Sequence, residues 1–326
     1  MAEREQGITI DVAYRYFTTD HRSFIVADTP GHEEYTRNMA VGASFAELAV
    51  ILIDAKAGVL VQTRRHARIC ALMGIKYFVF AVNKMDLAGY RKERFHEIEA
   101  QIQELSDELC LSSVKIIPVS ATEGDNITKK SVNMPWYTGD DLLTYLENID
   151  TSEQTMETGS YMPVQRVCRP NHEFRGFQGQ IEAGEFTVGD DVEALPGHQR
   201  AKIKSIFIGQ AGVQQVRKGQ PATIQLDREI DISRGSVLVK DAPITMSKKI
   251  TATILWMDDA CLNTEQDYLI KIGTKQIPAM VSSIHYKIDV NTGKHLPAVS
   301  LQKNEIAVCD IVLSENIAVD EFHKHK

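Results

Sequence analysis

Four short apolar runs punctuate the first half of the chain: Ser23 to Ala27, Leu48 to Ile53, Tyr77 to Val82 and Val114 to Val119. Each stops near a polar or glycine residue, and runs of this kind predict buried parallel strands. Between them the period changes. Phe95, Ile98, Ile102, Leu105 and Leu109 fall three and four residues apart, which draws one apolar stripe along a helix over 93–109, and 61–73 reads as another helix. Asp140 or Asp141 is placed to cap a last helix carrying Leu142, Leu143, Leu146 and Ile149. Strand and helix in alternation predict a doubly wound α/β domain over residues 1–150.

Residues 151–162 are polar and lack a period, so they read as a linker. From Pro163 the pattern turns to short β-rich runs parted by turns such as Val188-Gly189-Asp190-Asp191 and Leu195-Pro196-Gly197. A second set of such runs begins after Asp241-Ala242-Pro243. Two small antiparallel β-barrels fit this pattern, over 163–242 and 247–326, the second of them incomplete.

With 326 residues, 43% of them apolar, the chain is long enough for three domains with their own cores. No apolar stretch approaches the roughly 18 residues that a membrane helix needs, and the charged start Met-Ala-Glu-Arg-Glu-Gln does not suit a secretory signal. A cytoplasmic protein with no membrane partner is expected. Cys70, Cys110, Cys168, Cys261 and Cys309 lie far apart, without a Cys-x-x-Cys pair, and read as ordinary buried thiols. A net charge of −8 disfavours broad attraction to nucleic acid and favours protein or nucleotide partners.

Two loops at strand ends carry the chemistry. In Asp28-Thr29-Pro30-Gly31-His32, Asp28 can hold a water of a Mg²⁺ ion, and Gly31 lets a backbone N–H reach a γ-phosphate with no Cβ in the way. His32 can orient or polarise an attacking water, and is the catalytic candidate, because positioning and charge stabilisation dominate phosphoryl transfer. Standing alone, the same five residues also suit a strand-end turn with a solvated histidine. Asn83-Lys84-Met85-Asp86 is more specific: the Asp86 carboxylate can accept from guanine N1–H and N2–H₂, whereas adenine offers an acceptor at N1. Asn83 can bind the Hoogsteen side of the purine or brace the neighbouring loop, and the stem of Lys84 can cover the base. After the next strand, Ser120 can brace Asp86, and the Ala121 N–H can meet guanine O6. Upstream, Thr9 offers a hydroxyl to Mg²⁺ in a loop that would order with GTP.

These segments, with Glu3 to Asp11, Val12 to Phe17, Met134 to Tyr137 and Arg169 to Gly176, resemble the translational GTPase superfamily, and within it the large GTPase subunits of sulfate adenylyltransferase. The resemblance covers almost the entire chain. It implies a P-loop GTPase-type domain followed by two β-barrels, with GTP hydrolysis driving adenylyl transfer from ATP to sulfate on a small catalytic partner subunit, where ATP and sulfate would bind. Two other readings stand beside it: an elongation-factor-like GTPase that binds aminoacyl-tRNA, and a non-catalytic interaction fragment. His66, among Arg64, Arg65 and Arg68, reads first as a solvated helix face and second as a protein contact. Trp136 and Tyr137 suit a partner-docking element and packing on their own domain equally. His323-Lys324-His325-Lys326 reads as a frayed terminus.

One family element is missing from these 326 residues. No Gly-x-x-x-x-Gly-Lys-[Ser/Thr] loop occurs, since Gly179 and Gly184 have the spacing but Glu185 stands at the lysine position. The resemblance therefore implies a chain clipped at both ends, lacking the first strand and the phosphate loop, with apolar surface uncovered beside Ser23 to Ala27. A GTP titration of the 326-residue polypeptide is expected to show severely weakened binding and no measurable turnover; micromolar affinity with hydrolysis refutes this.

Overall fold

The computed structural model describes residues 11–151, 159–171 and 174–320. Thr9 and the His323–Lys326 segment lie outside the described residues. Two compact units emerge: one holds the residues up to 153 with Thr253–Leu262 and Tyr286–Ala307, the other holds 154–252, 263–285 and 308–326.

The first unit is built on three parallel strands, β3 (Leu48–Asp54), β4 (Tyr77–Asn83) and β5 (Ser113–Pro118), in the order β3-β4-β5. Central β4 is buried on both faces. Phe78, Phe80 and Val82 face one core with α1 (Thr36–Ser44), α2 (Val61–Leu72) and α3 (Lys92–Leu109). Alternate residues Val79 and Ala81 join Ile117 and Val119 in a second core, against Leu142 and Tyr145 of α4 (Leu142–Asn148). That double burial is why the strand reads as a continuous apolar run. The expected stripe on α3 packs as Phe95, Ile98, Ile102 and Leu105, each no more than 3% exposed. Asp141 caps α4 by accepting from the Thr144 N–H at 3.0 Å.

The first apolar run departs from expectation. It forms β2 (Ser23–Asp28), which is antiparallel to β1 (Ala13–Thr18) in a separate two-stranded sheet, with Ile25 69% and Val26 43% exposed. On β3, Leu52 is 65% exposed. Both strands therefore present apolar side chains to solvent, unlike β4.

Segments 253–262 and 286–307 extend the first core, where Leu255, Met257, Ile288, Val290 and Ile306 pack against it. Their loop at Gly293 comes close to the helices. A Cβ there would lie 2.8 Å from Glu108 Oε1 and 2.9 Å from Arg68 Nη2, and φ is +70°, a conformation that favours glycine and strains most other residues.

In the second unit, an eight-stranded antiparallel sheet runs from Ser160–Pro163 through Val237–Lys240, Asp191–Leu195, Gln199–Ile208, Pro221–Leu226 and Gly176–Gln180 to Arg166–Cys168, with Ala211–Val213 paired off this path to Gln199–Ile208. It curls around Met162, Phe177, Phe186, Ile206, Ile224 and Leu238, helped by a register shift between Ile203 and Ser205. The expected linker is shorter than its composition suggests. Ser160–Met162 belong to a strand whose register on Val237–Lys240 buries Met162 completely, and four residues are too few to display a period. In the same unit Asp267–Ile272 also pairs antiparallel with residues 275–280.

The cysteines also correct the reading from composition: all are free, Cys70 and Cys309 are buried, Cys168 is half-buried, and Cys110 and Cys261 are exposed. Cys110 ends α3 in the left-handed region at φ +51°, a position that turns its side chain out of the stripe. Among the described residues no helix is long and apolar enough to cross a membrane.

Ile102→Ala removes a fully buried α3 side chain and is expected to cost about 2–5 kcal/mol. A fall in urea midpoint checks this; an unchanged midpoint would place Ile102 outside the core.

Candidate nucleotide site

Parallel register decides what stands at the carboxyl edge of the sheet. Asp54 is level with Asn83, and Val82 with Pro118, so the loops after β3, β4 and β5 leave side by side. Ser120, fully buried two residues past β5, donates its hydroxyl to Asp86 Oδ1 at 2.6 Å. This is the brace that the sequence suggests. Asn83 Oδ1 accepts from its neighbour's Lys84 N–H at 2.8 Å and from the Ala121 N–H at 3.0 Å. Of the two roles open to Asn83, bracing the loop is the one in the structure, and the Ala121 N–H expected to meet guanine O6 points at Asn83.

Lys84 sits at φ +63°, a conformation costly for a side chain with a Cβ, and its Nζ pairs with Asp54 Oδ2 at 2.8 Å. The Lys84 ammonium, followed by the Lys56 N–H, holds the Asp54 carboxyl below its ordinary pKa, and Asp54 in turn raises that of Lys84. Asp54 was not among the expected site residues. Its signal was available: it is the polar residue that closes the second apolar run, as Asn83 closes the third.

The second group stands at the end of the β1–β2 hairpin. Asp28 closes β2 as an exposed carboxylate, and Gly31 and His32 follow it, also exposed. The His32 carbonyl accepts from the Tyr35 N–H at 3.0 Å, which starts the turn into α1. That helix packs closely over Thr29: a Cβ on Gly42 would meet Thr29 Cγ2 at 2.5 Å.

His66 corrects its reading as a solvated face. Its Nε2 lies 3.1 Å from the Gly31 carbonyl oxygen, so the ring donates there, and burial pushes the imidazole below its ordinary pKa. Flanking arginines masked this role in the sequence, because a helix face rich in charge looks solvent-facing from spacing alone. Trp136 is settled likewise: its Nε1 donates to the Tyr90 carbonyl at 3.0 Å and its ring lies 5.3 Å from that of Phe95, so it packs on its own domain.

Across all 326 residues the chain is 46% identical to sulfate adenylyltransferase subunit 1 of Francisella tularensis subsp. novicida, spanning 69% of that protein. The chain belongs to the sulfate adenylyltransferase subunit 1 family. The same identity links it to the subunit 1 of Colwellia psychrerythraea, with 70% of that protein covered, and to a bifunctional enzyme CysN/CysC of Xylella fastidiosa, with 52% covered. Residues 1–159 match the elongation factor Tu GTP-binding domain and 249–326 the GTP-eEF1A C-terminal domain-like family, which sets this subunit 1 family in the translational GTPase superfamily. A crystal structure of Sup35 complexed with GDP shares the fold, with a TM-score of 0.50 and 24% identity over 95% of this chain and 78% of that one.

Because the folded state holds His66 below the unfolded pKa of about 6.5, the unfolded chain binds the extra proton first, and stability falls as pH drops below that value. His66→Gln keeps a donor for Gly31 and removes the titration. The difference in urea midpoint between pH 7 and pH 5.5 is expected to be smaller in the variant than in the parent; equal differences would remove His66 from the account.

Proposed function

We propose that this chain is the GTP-binding regulatory subunit of a sulfate adenylyltransferase, coupling GTP hydrolysis to formation of adenylyl sulfate from ATP and sulfate on a small catalytic partner subunit. The observation that carries the reading is the Ser120–Asp86 hydrogen bond beside the Asn83–Ala121 bond, a prepared purine-reading edge in a chain with subunit 1 relatives along its whole length. The three-part division at 1–150, 163–242 and 247–326 belongs to the same proposal.

In this reading Asp86 reads guanine. Oδ1 accepts from Ser120 and keeps a second lone pair, so the two oxygens together can accept from N1–H and N2–H₂ and reject adenine, whose N1 would face them as another acceptor. Asn83 fixes the loop that carries Ala121, and the stem of Lys84 covers the base while its ammonium pairs with Asp54. His32 orients the attacking water, and Gly31 approaches the γ-phosphate with its carbonyl held by His66. The donor chemistry suits Mg²⁺: Asp28 is an exposed hard oxygen donor that would hold the ion through water, with Thr9 as direct ligand. When bound, Mg²⁺ supplies charge neutralisation on the phosphate oxygens.

The likeness to elongation-factor domains also supports a rival, a translational GTPase that binds aminoacyl-tRNA. GTPase assays of the full-length protein decide between them. Stimulation by the small sulfurylase subunit is expected and none by ribosomes; the opposite pattern overturns the proposal. For base recognition, Asp86→Asn is expected to shift preference from guanine toward xanthine nucleotides, since an amide donor replaces the acceptor; unchanged guanine selectivity in competition binding would count against the assignment.

A further inference from the structure

Behind the base-reading loops lies a second carboxylate that the proposed mechanism does not use. Asp125 is only 8% exposed, a burial that a charge tolerates only with full hydrogen bonding. Its Oδ1 accepts from the Ser131 hydroxyl at 2.6 Å, and its Oδ2 accepts from the Tyr90 hydroxyl at 2.9 Å and from Asn133 Nδ2 at 3.2 Å. Burial alone would raise its pKa, but these three donors together bring it below the ordinary carboxylate range.

The partners lead back to both sides of the site. On one side, the Asp125 backbone pairs with Ser120 in both directions, N–H to carbonyl at 3.0 and 3.1 Å, closing the turn that carries Ala121. On the other, Tyr90 sits four residues past Asp86, at φ +53°, where a bulky residue is strained. Three bonds hold it there: its N–H to the Met85 carbonyl at 2.8 Å, its own carbonyl to Trp136 Nε1 at 3.0 Å, and its hydroxyl to Asp125. Burial, then the bond to Asp125, pushes the Tyr90 hydroxyl up to about 12, so it remains a donor through the physiological range.

We infer that Asp125 is a positioning residue for purine selectivity, a clamp that through Tyr90 and Ser120 sets the register between the Asp86 carboxylate and the Ala121 loop. The inference rests on the guanine reading of Asn83 to Asp86. Asp125→Asn would set an NH₂ group against a pocket made of donors, loosening the tie between the loops without touching the ligand. Misplacement by about 1 Å can cost as much as a hundredfold in an interaction that depends on geometry.

The test measures Kd values for GDP, IDP and ADP on the full-length protein and its variants by calorimetry. IDP lacks the 2-amino group, so the ratio of the IDP Kd to the GDP Kd reports whether Asp86 still reaches both purine donors. Asp125→Asn is expected to lower that ratio by about tenfold or more. Tyr90→Phe removes one hydroxyl and keeps the packing, so it remains interpretable if Asp125→Asn does not fold; it is expected to lower the ratio in the same direction by a smaller factor. A role confined to stability would move the melting temperature and leave the ratio of the folded protein alone. Wild-type preference for GDP with a ratio unchanged within about twofold in every variant that folds overturns the clamp only. A wild-type protein that does not prefer GDP to IDP and ADP overturns the guanine reading and the clamp with it.

Discussion

Everything at the candidate site depends on the register of three parallel strands around β4. Because Phe78 to Val82 are at most 1% exposed, a slip by one residue would exchange the two core faces, and neither Phe80 nor Val79 has another place to go. The register therefore places Asp54 beside Asn83 and brings Ser120 to Asp86. Apolar burial, which has no chemical specificity of its own, thus delivers specific polar atoms to one edge.

That edge is strained and polar, and the surrounding bonds are what keep it in place. Lys84 and Tyr90 both adopt left-handed backbone conformations within seven residues of one another. Conformations of this kind cost about 1–3 kcal/mol each and persist only where neighbours over-determine them. Here the neighbours are identifiable: Asn83 and Asp54 on Lys84, Met85, Trp136 and Asp125 on Tyr90. The loop is held by side chains from three strand ends, which explains why a segment rich in polar residues has one conformation without being buried as a whole.

Much of this was legible before the structure. The period of α3, the three parallel strands, the cap at Asp141 and the Ser120–Asp86 brace follow from local patterns, because each rests on residues close in sequence or on a motif whose chemistry is specific. What escaped reading depends on distant partners. β2 reads as a buried strand, yet its neighbour is β1 in a hairpin, and apolar composition alone does not report whether a strand is paired in parallel or covered by a helix. His66 meets Gly31 from 35 residues away, and Asp125 meets Tyr90 from the same distance. Neither spacing leaves a trace in a linear pattern. The exposed Cys110 and Cys261 show the converse, since residue type sets an average burial that turns and helix ends override.

Two carboxylates 39 residues apart illustrate how accounting for acceptors separates recognition from scaffolding. Asp125 is nearly sealed from solvent and both of its oxygens accept from protein donors, so any further donor would have to displace one already present. Asp86 is half-buried, and the brace from Ser120 occupies only one of its oxygens, which fixes the plane of the carboxylate while keeping acceptor capacity for an incoming group. The saturated carboxylate supplies rigidity and the half-saturated one supplies selectivity. Because Ser120 pairs its backbone with that of Asp125 and donates its hydroxyl to the Asp86 carboxylate, one residue with no charge of its own joins the two functions.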